Sequence, residues 1–159
     1  MMIPLKLGNI VGVQRPLTVA YHRLRRTRRA RWLRECYREL LEETPRSLDE
    51  RVRFHMDHLI VYWQRCEGFL EIARNQGLPV APSFLVADWV LFPLVGSGIA
   101  DYDMRAFGAE RAPSLVVPWN NYTASLRDVR HGVPTPETAV LAASVAFARV
   151  RAAYDTLHI

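Results

Sequence analysis

The stretch Ser47–Gly77, SLDERVRFHMDHLIVYWQRCEGFLEIARNQG, decides the fold that the sequence predicts. Ser47 and Glu50 form a capping box, in which a hydroxyl and a carboxylate satisfy otherwise unpaired amides at the start of a helix. Apolar residues then recur at alternating steps of four and three, as the packed face of a helix requires. The residues of this stripe are Val52, Met56, Leu59, Trp63, Cys66, Leu70 and Ala73. The stretch therefore predicts one long helix that packs against neighbouring helices.

Two further helices are predicted on either side of this one. The first runs from about Thr18 to Glu43, and the last begins where Thr135 is placed to cap a first turn that contains Pro136. Its stripe consists of Val140, Ala143, Phe147, Val150 and Tyr154. No strand-like alternation competes with these patterns, so the sequence predicts an all-α fold, a small bundle of about three to four helices.

The remaining segments are predicted to lack regular structure or to be unusually apolar. Residues 1–17 are predicted to be an extended N-terminal arm, and residues 18–159 a single helical domain. Residues 101–135 are predicted to be irregular, because prolines and glycine interrupt them. Residues 83–100 hold a single charge, at Asp88. A buried helix followed by a turn is the favoured interpretation; a transmembrane helix, contact with a membrane surface and a helix covered by other subunits are the alternatives.

Charge is distributed unevenly along the chain of 159 residues. Half of the residues are hydrophobic and 23% are charged, which excludes a disordered protein. Residues 1–34 contain nine of the 21 basic residues and none of the 16 acidic ones. A basic N-terminal region is thus attached to a mildly acidic body, a pattern that suits RNA, an anionic membrane surface or an acidic protein partner. Cys36 and Cys66 are predicted to be reduced thiols of the core.

Arginines of the first helix are the candidate partner-binding residues. Guanidinium groups bind carboxylates or phosphates in a bidentate manner, and aromatic side chains such as Trp32 can stack on bases. The candidates are Arg23, Arg25, Arg26, Arg28, Arg29, Arg31, Arg34, Tyr37 and Arg38. The alternative is a basic helix face that is merely solvated.

Motifs that would indicate catalysis are weak. His55 and His58 lie one helical turn apart but lack further ligands of recognisable spacing, so they are predicted to be exposed histidines on a polar face. Asp101 and Asp103 are predicted to be solvated acids in a turn. The sequence therefore predicts no enzyme, no metal site and no cofactor.

Part of the first helix resembles a known motif. Cys36-Tyr37-Arg38, followed by Leu40-Leu41 and by Pro45, resembles the motif of the LYR family, although Cys36 stands where that motif has leucine. The LYR family consists of small, basic, mainly mitochondrial helical proteins, which are accessory subunits of respiratory complex I and assembly factors. The resemblance implies a helical scaffold that docks a mitochondrial acyl carrier protein. Tyr37 and Arg38, aided by the upstream arginines, would then face the acidic carrier and its phosphopantetheine.

These observations lead to two expectations about function. The first is a non-catalytic accessory subunit of a large multiprotein assembly, a mitochondrial respiratory-chain complex at the inner membrane or on its matrix side. The second is an RNA-binding structural protein, such as a ribosomal subunit, that uses the arginine-rich helix against phosphates.

Overall fold

A computed structural model describes residues 15–43, 47–77 and 88–157 of the chain, and the side chains of residues 27–43, 47–77 and 89–157. The described residues form five α-helices and no strand, which confirms the all-α prediction. The helices are α1 (Arg15–Glu42), α2 (Leu48–Asn75), α3 (Asp88–Glu110), α4 (Pro113–His131) and α5 (Pro136–Asp155).

The two central helices are α2 and α3, which pack side by side. Helix α1 lies against α3, whereas α4 and α5 form a pair that contacts α3 through α4 and α2 through α5. All seven residues of the predicted α2 stripe are buried, so the strongest pattern in the sequence does form the centre of the core. Tyr122 of α4 connects α4 to both central helices. Its hydroxyl accepts a hydrogen bond from Nε1 of Trp63 in α2 at 2.8 Å and lies 2.6 Å from Oγ of Ser97 in α3.

The predicted helix starts are confirmed at α2 and α5. The Ser47 hydroxyl accepts a hydrogen bond from the backbone N–H of Glu50 at 3.2 Å. The Thr135 hydroxyl accepts one from the N–H of Thr138, also at 3.2 Å, and Pro136 occupies the first turn of α5. Both caps satisfy amides that have no partner inside the helix.

The prediction of irregular structure over residues 101–135 is wrong, because α3 continues to Glu110 and α4 follows almost at once. Pro113 stands at the first position of α4, where a helix needs no N–H donor. Gly132 ends α4 with a φ angle of 66°, a left-handed conformation that glycine adopts without strain. Pro113 and Gly132 thus mark helix ends, whereas Pro118 lies inside α4. The described residues form five helices, roughly consistent with the expected three or four.

The apolar segment 83–100 is described from residue 88 onward, and that part is helical. Val90, Leu91, Leu94 and Val95 are buried, which agrees with the predicted buried helix. No helix of the described residues is long and apolar enough to cross a membrane. The predicted N-terminal arm lies outside the described residues up to residue 14, and Arg15, Pro16 and Leu17 already belong to α1.

A proline inside α3 is accommodated by a side chain from α2. Pro93 has no N–H, so the carbonyl of Trp89, four residues earlier, lacks its usual helical donor. The thiol of Cys66 donates a hydrogen bond to that carbonyl. The buried cysteine therefore supplies the donor that the proline removes.

Candidate partner-binding groove

An open groove of about 850 Å³ lies between α1 and the C-terminal end of α4, and α3 forms its floor. The floor residues occupy positions i, i+3, i+4, i+7 and i+8, so they lie on a single face of α3; the first three are buried, and the last two are exposed or half-buried. They are Leu91, Leu94, Val95, Gly98 and Ile99. This spacing is typical of a helix face that packs on another helix. At Gly98 the α3 backbone is open to the groove, since no atom lies within 4 Å of the position that a Cβ would take.

Arginines form the α1 edge of the groove. Arg31, Arg34 and Arg38 line it, and none of the three forms an ion pair with a described residue. The opposite edge carries Arg130 and His131 from the last turn of α4, where cations favour the negative end of the helix dipole. No acidic side chain is among the described residues that line the groove, so its α1 edge presents mainly positive charge.

The other predicted arginines lie elsewhere. Arg28 is exposed but does not line the groove, and the guanidinium of Arg29 lies 4.3 Å from the centre of the half-exposed Trp32 ring. A cation–π contact within the chain therefore already uses one face of this tryptophan. Arg23, Arg25 and Arg26 are part of α1, but their side chains lie outside the described ones.

Tyr37 lies inside the bundle, whereas the motif resemblance implies that it faces a partner. It is only 3% exposed, and its hydroxyl donates a hydrogen bond to Nδ1 of His55 at 2.6 Å. Nε2 of His55 donates in turn to Oδ2 of Asp103 at 2.7 Å, and the same oxygen accepts from Nε of Arg51 at 2.9 Å. The two motif residues therefore lie in different surroundings. Arg38 lines the groove, whereas Tyr37 is buried and connects α1 to α2 and α3.

The predictions for His55 and Asp103 are also wrong, since neither side chain is exposed. His55 is fully buried, and Asp103 is buried within helix α3 instead of lying in a solvated turn. A signal for His55 was present in the sequence, because it lies three residues after Val52 and four before Leu59, on the side of the apolar stripe. Its pairing with Asp103, 48 residues away, has no local signal.

The surroundings of these hydrogen-bonded side chains determine their protonation states. Burial lowers the pKa of His55, although its hydrogen bond to the Asp103 carboxylate acts to raise it. Burial also raises the pKa of Tyr37. A protonated tyrosine and a neutral imidazole with its proton on Nε2 satisfy every hydrogen bond of the chain at once.

The hydrogen-bonded chain of Tyr37, His55 and Asp103 contains residue types that also occur in catalytic triads, but its position inside the bundle is that of a structural element. None of the three side chains lines the groove, and all three are buried. The arrangement holds α1, α2 and α3 together next to Arg38, at the end of the part of α1 that lines the groove. Across the described residues, no group of three or more His, Cys, Asp or Glu side chains could hold a metal ion.

A smaller polar cleft of about 250 Å³ adjoins the groove and shares Gly98 and Arg130 with it. Asp101, predicted to be solvated in a turn, is half-buried in α3 and lines this cleft. Its Oδ1 accepts hydrogen bonds from Nε of Arg105 and from Nε1 of Trp119, each at 2.9 Å. The sequence alone does not reveal this α3–α4 side of the groove, because its prolines and glycine predict irregular structure over residues 101–135. Comparison of the chain with protein-family models, with curated proteins and with solved structures finds no match.

Proposed function

We propose that the protein is a non-catalytic subunit of a larger protein assembly and that its groove docks an acidic protein partner. The observation that carries this proposal is the row of Arg31, Arg34 and Arg38, three guanidinium groups without an ion-pair partner among the described residues, beside an apolar floor. An apolar centre with a polar, charged rim is the usual anatomy of a protein interface. The arginines would steer an acidic partner and fix its register, while the floor would hold it.

An RNA partner is the alternative that the arginine-rich sequence raises. Phosphates would use the guanidinium groups, but they would leave the apolar floor of α3 without a function. The mitochondrial location, the respiratory-chain assembly and the acyl carrier protein are what the motif resemblance adds to this proposal, and Arg38 is the motif residue that supports a docking role.

The test is isolation of the tagged full-length chain from its source cells, with and without charge reversal in the groove. The variant Arg34→Glu/Arg38→Glu changes the groove edge. Arg149→Glu/Arg151→Glu, on the exposed side of α5, is the control with the same change in net charge. We expect one acidic protein to co-purify in stoichiometric amount with the wild type and the control after nuclease treatment. Its recovery with the groove variant should fall by roughly tenfold or more, because each glutamate places a like charge against the acidic partner.

Two results would contradict the proposal. Equal recovery of the partner with the groove variant would show that the groove is not the docking site. Nuclease-sensitive material whose binding weakens by orders of magnitude between low and physiological salt would identify RNA as the ligand instead.

A further inference from the structure

We infer that the segment of the partner that occupies the groove is an acidic amphipathic α-helix, which lies along α3. The inference rests on the proposed function, since it specifies which structure the acidic partner presents. Three features of the described residues support it: the continuity of the α3 stripe, the spacing of the arginines beside it and the absence of a sheet edge in the groove.

The apolar floor belongs to a stripe that extends beyond the groove itself. Leu91, Val95, Gly98 and Tyr102 follow at steps of four, three and four, so Tyr102 lies one turn beyond Gly98 on the same side of α3. Tyr102 is 82% exposed, an unusual state for a large aromatic side chain and one that is common at interface hot spots. From Leu91 to Tyr102 the stripe is about 16 Å long, or three helical turns. Leu91 and Val95 are already buried at the bottom of the groove, so a second helix would contact mainly the end of the stripe from Gly98 to Tyr102.

The arginines of α1 run alongside this stripe with helical spacing. Arg31, Arg34 and Arg38 are separated by three and four residues, so they form a row about 10 Å long on one side of α1. A helix in the groove would present carboxylates at the same intervals if its acidic residues flank an apolar stripe at steps of three and four. Arg127, which lines the adjoining cleft, would meet acids on its other flank.

A helix fits this groove better than an extended peptide does. An extended chain needs partners for its backbone N–H and C=O groups, and the groove is built from helices, which leave no sheet edge for it to join. A helix satisfies its own backbone and needs only an apolar surface and flanking charges. Gly98 permits close approach, because no side chain separates the α3 backbone from the groove at that point.

The experiment measures binding of synthetic peptides of about 18 residues to the full-length protein by fluorescence anisotropy. One peptide carries leucines at helical steps of three and four with glutamates on both flanks. A second has the same composition in scrambled order, so its net charge is unchanged while the apolar stripe is lost. We expect the first peptide to bind roughly tenfold or more tightly than the second and to gain helical circular dichroism when bound.

Two glycine variants provide a matched pair for the same measurement. Gly98→Leu fills the groove, whereas Gly68→Leu adds the same side chain to α2 outside it. Both positions have open space at Cβ, and both substitutions favour a helix, so both variants are expected to fold. Binding of the striped peptide should fall roughly tenfold in Gly98→Leu and stay within about twofold of the wild type in Gly68→Leu.

Three outcomes overturn the inference: equal binding of the two peptides, no binding of either, or unchanged binding to Gly98→Leu. The two proposals can be separated by isolating Gly98→Leu from source cells. If that variant keeps the partner while Arg34→Glu/Arg38→Glu loses it, acidic docking stands and the helix in the groove is wrong. If both variants keep the partner, both proposals fail.

Discussion

Removal of one hydroxyl group, by Tyr37→Phe, tests the buried hydrogen-bond chain that joins α1 to the centre of the bundle. The substitution keeps the aromatic ring, which packs edge-on against Phe54 with ring centres 5.4 Å apart, and removes only the donor to His55. Nδ1 of His55, a fully buried residue, is then left without a partner. Leaving a buried acceptor unsatisfied costs about 1–3 kcal/mol. For a chain of this length that corresponds to a melting temperature lower by about 2–12 °C.

The assay is urea unfolding at pH 7 followed by circular dichroism, with Tyr102→Phe as the control. Tyr102→Phe removes the same atom, but the side chain is 82% exposed, so no buried group loses a hydrogen-bond partner. The free energy of unfolding should therefore change by less than about 0.5 kcal/mol. If Tyr37→Phe is no more destabilising than Tyr102→Phe, the hydroxyl of Tyr37 does not contribute to stability and the chain does not tie the helices together.

Three further predictions concern the same region of the bundle. Burial lowers the pKa of His55 below its ordinary 6.5, although Asp103 acts to raise it, so the unfolded protein binds a proton at higher pH than the folded protein does. The free energy of unfolding should therefore fall as pH decreases from about 6.5. Urea titrations should show a shallower fall in His55→Gln. Gly96→Val should destabilise the fold by about 1–3 kcal/mol in thermal unfolding, since a Cβ there lies 3.2 Å from the Tyr37 ring, whereas Gly98→Ala should be neutral or stabilising. Cys66 is fully buried and Cys36 is not, so a thiol reagent should label one cysteine quickly in the native protein and the second only in urea; two fast thiols would contradict the packing of α2.

The parts of the fold that the sequence predicts correctly are those determined by local chemistry. The cap at Ser47 and the α2 stripe each depend on residues within a few turns of one another, so a single pattern reveals them. The failure over residues 101–135 has a physical reason. Proline interrupts a helix by removing an N–H donor, but Pro113 stands in the first turn of α4, where that N–H would have no acceptor within the helix. Pro118 lies inside α4, where tertiary packing overrides its low helix propensity.

The candidate groove could be predicted only in part, because its edges come from helices far apart in sequence. Clustering indicates Arg31 and Arg34, and the motif resemblance indicates Arg38, but their position along one edge of the groove depends on where α3 and α4 lie. His55 and Asp103 are 48 residues apart, so although the position of His55 beside the apolar stripe hints at burial, nothing in either segment indicates that the two side chains pair. Tertiary packing overrides the local pattern at these positions, because a buried polar side chain needs a specific partner.

The contact between Cys66 and the Trp89 carbonyl has a consequence for how this sequence can diverge. As long as residue 93 is proline, residue 66 must offer a hydrogen-bond donor small enough for the core, which restricts it to cysteine, serine or threonine. A chain with alanine at position 93 regains the backbone donor, and position 66 can then become alanine or valine. Substitutions at the two positions should therefore be epistatic, with Cys66→Ala more harmful in the presence of Pro93 than in its absence. Aligned sequences of the same descent should show this covariation between the second and third helices.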